Sequence, residues 1–252
     1  MGNGVEGFSG GGPLGELGVV AEEFAAALSE RGWLSRTPAD FRIAVISASQ
    51  TVHRAAGQQI YFVGDDLGGM FGVCSGAIEI ATPLGNPDAN VVHLGQPGLW
   101  IGAGPALTGA PRRISISART DVVLAHLSLA AIQRMVGNRP EWWRHIGALA
   151  IENMQTAIGA AADLLIRDNQ RRCIAVLLRL CGARYEDPVS ESSLTTPVSQ
   201  EELASMTHLS RNAVGAVVRR LAAQHLIELR YRAIHLCAPD TLRGMVDAPA
   251  EI

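Results

Sequence analysis

Apolar residues along this chain change period several times, and each change predicts a change of element. Glu16 to Arg31 alternates apolar and charged residues in the manner of an amphipathic helix. Thr37-Pro38-Ala39-Asp40 predicts a second helix start, with Thr37 as N-cap and Pro38 in the first helical position. Between Val52 and Leu127 short β-rich runs alternate with Gly, Pro, Asn and Asp turns: Gln59 to Val63, Gly69 to Cys74, Ala77 to Ala81, Val91 to Leu94, Ile114 to Ala118 and Val122 to Leu127. Short strands at that spacing predict a barrel or roll. From Pro140 to Ile166 the period becomes helical, with Ile146, Ala150, Met154, Ala157, Ala161 and Leu164 on a wide apolar face and Ile151, Ile158 and Leu165 beside it.

Arg167 to Arg172 interrupts the apolar pattern and predicts a hinge before a helix over Cys173 to Cys181. Glu186 to Pro197 is polar, rich in Ser, Thr and Pro, and predicts a loop. Ser199 and Glu202 then form an S-x-x-E capping box, so a helix starts at Ser199, with Leu203 and Met206 as its apolar stripe. After a turn at Thr207 to Leu209, Ser210 is placed to cap a second helix. Val214, Val217, Val218 and Leu221 of that helix face inward, leaving Arg211, Asn212, Gly215, Arg219 and Arg220 free. Leu226 to Leu229 and Ala233 to Leu236 predict two strands joined by a basic tip, Arg230-Tyr231-Arg232. Two helices, a tight turn and a hairpin make a winged helix-turn-helix. Its second helix offers Arg and Asn, which suit guanine and adenine edges in a major groove. An ordinary helical hairpin is the competing reading, and the wing counts against it.

Charge agrees with a DNA-facing segment without proving it. Ser199 to Leu236 carries five Arg against three Glu in a chain of net charge −3. All 21 basic residues are Arg, so an Arg here is weaker evidence for bidentate recognition than in a chain that also uses Lys. At 252 residues, 48% apolar and 18% charged, the chain is long enough for two globular domains. No run of apolar residues reaches the length of a membrane span, and residues 1–15 are glycine-rich, without the basic and apolar regions of a signal peptide. A cytoplasmic protein with a disordered tail at 1–15 is expected. Cys74, Cys173, Cys181 and Cys237 have neither metal nor disulfide spacing and are expected to behave as small core residues. No nucleophile elbow, P-loop or metal-binding spacing points to an enzyme.

The chain resembles the Crp/Fnr family of bacterial transcription regulators. The residues that carry the resemblance are Gln200 to Ala204, Leu209-Ser210-Arg211, Val214, Arg219 to Leu221, Leu226 to Leu229 and Pro239 to Leu242, and, towards the N-terminus, Gly57, Gly64-Asp65, Phe71, Gly76 and Pro97 to Gly102. The resemblance implies an α+β architecture in three parts. A cyclic-nucleotide-binding-like β-roll (jelly roll) with flanking helices spans 16–139, a long dimerisation helix 140–168, and a winged helix-turn-helix 169–252. It implies double-stranded DNA as a partner, met by Ser199, Ser210, Arg211, Asn212, Gly215, Arg219, Arg230 and Arg232. A second copy of the chain would pair through 140–168, and RNA polymerase is a further partner of such regulators. The alternative for 140–168 is a helix packed on its own β-roll alone.

The effector site is where the chain departs from the family. Gly102, Ala103, Arg112, Arg113, Ala157 and Ile158 are the candidate pocket residues. Ala103 stands where nucleotide-binding members have a ribose-binding Glu, Arg113 replaces the hydroxyl residue beside the phosphate-binding Arg112, and Ala157 and Ile158 fall where adenine is met. Without these three hydrogen-bonding groups cAMP is not expected, and the chain takes a different small ligand or none. No cysteine precedes Cys74 to hold an iron-sulfur cluster, and haem would have to use His53, His93, His126 or His145. Asn212 and Ala216 also differ from the usual reading residues, so a different operator is expected. His208 and His225 occupy turn positions expected to need a left-handed backbone. Two function classes stay open: a DNA-binding dimer, ligand-controlled or constitutive, and a small-molecule-binding module whose helix-turn-helix no longer binds DNA specifically.

Overall fold

The computed structural model describes residues 22–66, 68–82, 90–185 and 194–248. The tail at 1–15, the first residues of the helix expected from Glu16, most of the loop expected over 186–197 and the last four residues lie outside the described residues. In chain order the described part opens with helices α1 (Glu22–Glu30), α2 (Gly32–Ser35) and α3 (Ala39–Ala48). Strands β1 (Gln50–Arg54), β2 (Gln59–Tyr61), β3 (Met70–Ser75), β4 (Ile78–Thr82), β5 (Asn90–Gly95) and β6 (Trp100–Ile101) follow. After helix α4 (Ala103–Thr108) come β7 (Ser115–Ala118) and β8 (Val122–Leu127). Helix α5 (Leu129–Asn138) and a 3-10 turn at Pro140–Trp142 lead into the long α6 (Trp143–Leu164) and then α7 (Asn169–Leu180). The remainder is β9 (Thr195–Thr196), α8 (Gln200–Thr207), α9 (Arg211–Ala223), β10 (Ile227–Arg230), β11 (Ala233–Leu236) and α10 (Pro239–Asp247).

Two antiparallel four-stranded sheets, ordered β1-β8-β3-β6 and β2-β7-β4-β5, make the roll. Leu124 of β8 lies opposite Val52 on one side and Val73 on the other, and Ile80 of β4 lies opposite Ile116 of β7. Val52, Phe71, Val73 and Leu124 of the first sheet share a core with Tyr61, Ile78, Ile116 and Ala118 of the second, so the sheets close on each other. The first sheet is also packed against helices, where Trp33, Phe41, Met70, Trp100, Leu127, Ile132, Ile146 and Leu149 form a second core. There the Trp33 ring meets Trp100 and Phe41 edge to face at 5.8 and 5.7 Å. A third core joins α7, α8, α9, the wing and α10, and it takes in Leu94 from β5 of the roll. Apolar packing is therefore continuous from the roll into the helix-turn-helix part.

Several expectations are corrected. Thr37 does not cap α3: its hydroxyl donates to Leu34 O at 2.7 Å, and Pro38 occupies the N-cap position. Strands β1 and β6 escaped the sequence pattern, one because it starts at Gln50 and the other because two residues carry no period. So did α4, hidden in a Gly/Pro-rich stretch, and α5, whose Ser128 caps Ala131 N. Helix α7 starts earlier than Cys173, with the Asp168 carboxylate accepting from Arg171 N, so the basic run 169–172 is its first turn. Thr195-Thr196 is a strand that pairs with β11 rather than loop. Cys237 is exposed, whereas Cys74, Cys173 and Cys181 are buried.

The long helix divides the face that the sequence presents as one. Ile146 and Leu149 are buried in the core against the roll, with Ala150 packed against it. Ile151, Met154 and Ile158 are half or more exposed, at 51%, 50% and 59%, and Leu165 follows at 82%. With Ala161 these residues recur at alternating spacings of three and four, the seam of a coiled coil.

Gly72 is required by packing: a Cβ there would lie 2.5 Å from Trp100 Cε2. Gly72→Ala is expected to destabilise the roll by about 1–3 kcal/mol through overpacking, read as a lower urea midpoint.

Candidate functional site

The helix-turn-helix is built from local caps. Ser199 Oγ accepts from Glu202 N at 3.2 Å while Glu202 Oε2 accepts from Ser199 N at 2.8 Å, which starts α8. His208 turns the chain with φ 54, and Thr207 Oγ1 donates to Leu203 O at 2.6 Å inside the bend. Ser210 Oγ then accepts from Ala213 N at 3.2 Å and starts α9. Val214, Val217, Val218 and Leu221 are buried, and Arg211 and Asn212 stand exposed in the first turn. His225 is left-handed as expected, at φ 55, and Arg232 is as well, at φ 50, because the two-strand hairpin turns on Tyr231 and Arg232.

Two of the eight DNA-facing candidates are corrected. Gly215 is buried, with Arg219 Nη1 and Gln200 Oε1 at 3.2 and 3.5 Å from the position of a Cβ. Ser199 commits its hydroxyl to the capping box, beside the roll rather than on the exposed first turn of α9. Ser210, Arg211, Asn212, Arg219, Arg230 and Arg232 are exposed. Arg230 is paired with Glu228 at 2.7 Å, and Arg220 donates to Gln170 at 2.9 Å.

A cavity of about 420 Å³ lies between the second sheet, α4 and α6. Gly102, Ala103, Arg112, Arg113 and Ala157 line it, and Ile158 does not. Ile158 is the next residue on the helix, about 100° round, and belongs to the exposed stripe. Arg112 is only 3% exposed. Its Nη2 donates to Gly69 O at 2.7 Å and its Cζ lies 4.1 Å from the centre of the Tyr61 ring, while Nε and Nη1 have no hydrogen-bond partner among the described residues. Gly102, at φ 98, allows this approach: a Cβ would come within 2.7 Å of Arg112 Nη1. Burial lowers the Arg112 pKa, against the opposing influence of Tyr61 and Asp65. Of the histidines weighed for haem, His126 Nε2 is bonded to Gly68 O at 2.5 Å and its ring stacks on Phe71, and His145 lies against Phe41.

Two joints tie the roll to the helix-turn-helix, and sequence reasoning missed both. Arg179 of α7 lines the same cavity. It donates from Nε to Asp163 Oδ2 of α6 at 2.9 Å, and its Nη1 lies 3.1 Å from His93 Nδ1 of β5. Desolvation and the Arg179 guanidinium push the His93 pKa down to about 3. Arg119, just after β7, reaches Glu79 at 2.6 Å, Glu202 at 2.6 Å and Pro197 O at 3.0 Å. Burial opposes the Glu202 charge, but hydrogen bonds from Arg119 and Ser199 outweigh it and hold the carboxyl below its usual range. These partners lie 83 and 86 residues apart in the chain, with no local pattern to connect them.

Residues 51–139 match the cyclic nucleotide-binding domain and residues 171–245 the Crp-like helix-turn-helix domain. The chain is 33% identical over 105 residues to a cyclic nucleotide-gated potassium channel from Mesorhizobium japonicum, covering 42% of this chain and 28% of the channel. It is 23% identical over 144 residues to the cAMP-activated global transcriptional regulator CRP of Pasteurella multocida, covering 57% of this chain and 68% of that one. A CRP-family transcriptional regulator from Thermus thermophilus superimposes with a TM-score of 0.59 at 22% identity, over 79% of this chain and 98% of that chain. The c-di-GMP responsive global regulator CLP of Xanthomonas campestris does so with 0.57 at 20% identity, over 79% and 99%. At these identities the solved structures establish a shared fold. Among the described residues no helix is long and apolar enough to cross a membrane.

His93 supplies a pH test of the joint. In the unfolded chain it takes up a proton near 6.5, but in the folded one only near 3. Stability from this residue is therefore full above pH 6.5 and declines as pH falls towards 3, where the unfolded chain binds the extra proton. His93→Gln should flatten that part of a plot of urea midpoint against pH. An unchanged slope would show that His93 is not held neutral at the joint.

Proposed function

We propose that this chain, a Crp/Fnr-type transcription regulator that joins a cyclic nucleotide-binding domain to a Crp-like helix-turn-helix domain, acts as a homodimer that reads operator DNA under the control of a small effector other than cAMP. The observation that carries the DNA reading is the exposure of Arg211 and Asn212 in the first turn of a helix capped by Ser210. A guanidinium and a carboxamide there can reach base edges, and the N-terminus of the helix favours the adjacent phosphates.

The heptad seam on α6 supports pairing with a second copy, because half-exposed Ile151, Met154 and Ile158 on one stripe would otherwise face water. Pairing would set two α9 helices on one operator with two-fold-related half-sites about one helical turn apart. Ile158→Glu is expected to shift the protein from dimer to monomer in sedimentation.

For the effector, Ala103 and Ala157 put methyl groups on the cavity wall and Ile158 faces away from it, leaving a ribose and an adenine without partners. That a regulator of this fold from Xanthomonas is c-di-GMP responsive is in keeping with an effector other than cAMP. An effector would act by shifting α6 against α7 and the roll, through Arg179 and Arg119, and so resetting the angle between the two reading helices.

Sequencing genomic fragments retained by the purified protein tests the reading, with a recurring two-fold-related motif as the expected result. Arg211→Ala should cost about 1–3 kcal/mol on that motif and relax one base position. Equal loss on every sequence would contradict base reading. Because Arg230 is tied to Glu228, Arg232→Ala is the wing variant expected to weaken binding on all sequences and lower the salt slope by about 1.

A further inference from the structure

The cavity wall carries an uneven set of chemical groups. Arg112, Arg113 and Arg179 line it, and among the described residues no Asp or Glu does. Asp163, behind Arg179, answers one of those charges. Arg112 is buried with two nitrogens, Nε and Nη1, left without acceptors among the described residues, a costly state that a bound anion would relieve. The donors of three neutral polar side chains on the wall are already used. Asn153 Nδ2 donates to Trp100 O at 3.1 Å, Thr156 Oγ1 to Glu152 O at 3.1 Å and Thr108 Oγ1 to Gly104 O at 2.9 Å. The rest of the wall is mainly apolar, with Ile80, Leu99, Ile101 and Ile114 among its residues. A ligand with many hydrogen-bond acceptors would leave most of them unpaired there. A ligand with a single charged head and a hydrocarbon body would not.

We infer that the cavity takes a small organic anion with an apolar body, its carboxylate-type head on the buried Arg112 and its body against the isoleucine and leucine side chains. This deepens the effector reading above and rests on it. Charge selects the ligand at one end, and burial of apolar surface supplies affinity along the rest of it.

The test is calorimetric titration of the full-length protein with decanoate and 2-naphthoate, with their neutral counterparts decan-1-ol and 2-naphthalenemethanol, and with cAMP. At least one of the two carboxylates is expected to bind at one per chain, at least about tenfold tighter than its own alcohol and than cAMP. R112Q should bring that carboxylate and its alcohol to within about twofold of each other. Should R112Q fail to fold, A157W, which fills the cavity from α6 and leaves Arg112 in place, should abolish carboxylate binding. Equal affinity for acid and alcohol, tighter binding of cAMP, no binding of either carboxylate, or unaltered binding by R112Q or A157W would overturn the inference. Operator binding is measured alongside, with and without each ligand. If it is present while carboxylate binding fails, the regulator reading stands and this inference alone falls. If operator binding is absent both with and without ligand, the regulator reading fails whatever the cavity binds.

Discussion

The structure turns on where Arg179 sits. It belongs to the first helix of the helix-turn-helix part, yet it is 7% exposed and held by Asp163 of the long helix and His93 of the roll. A buried guanidinium tolerates little displacement, because losing Asp163 leaves an uncompensated charge, and losing His93 an unmade hydrogen bond, in a poorly solvated place. The position of α7 relative to α6 and β5 is fixed by that demand. Leu94 reinforces it by placing a β5 side chain in the core of the helix-turn-helix. Since Arg179 and His93 also line the cavity, a ligand there would touch the helix-turn-helix part directly. No relay through intervening residues is required. Arg119 makes a second joint at the capping box that starts α8, so α7 and α8 are both tied to the same roll.

The elements that could be read from the sequence are those whose cause is local. The capping box at Ser199 and Glu202, the cap at Ser210, the left-handed turns at His208 and His225 and most of the roll strands depend on residues within a few positions of one another. What escaped has non-local or very short causes. Strand β6 is two residues long, and α4 sits among glycines and prolines. Gly215 was read as free because helical spacing alone places it next to exposed positions, but Arg219 and Gln200 fold over it.

The candidate cavity was legible in part. Arg112 and Gly102 were placed together by resemblance, and their contact depends on a left-handed glycine that a side chain would close. Arg179, His93 and Arg119 gave no signal in the sequence, because a buried network joining residues more than eighty positions apart leaves no period and no motif. The face of α6 shows the same limit. Ile146 and Ile151 look alike as letters, but the roll already occupies one side of the helix, and only the other side carries the free seam.

If Arg179 joins the occupant of the cavity to the placement of the reading helices, operator affinity must respond to that occupant through this one side chain. The decisive experiment measures operator affinity with and without a saturating cavity ligand, 2-naphthoate for example, in the wild type and in Arg179→Gln. A ligand-dependent change in operator affinity is expected in the wild type and is expected to disappear in Arg179→Gln while the ligand still binds. A change of equal size in both proteins would show that the coupling does not run through Arg179.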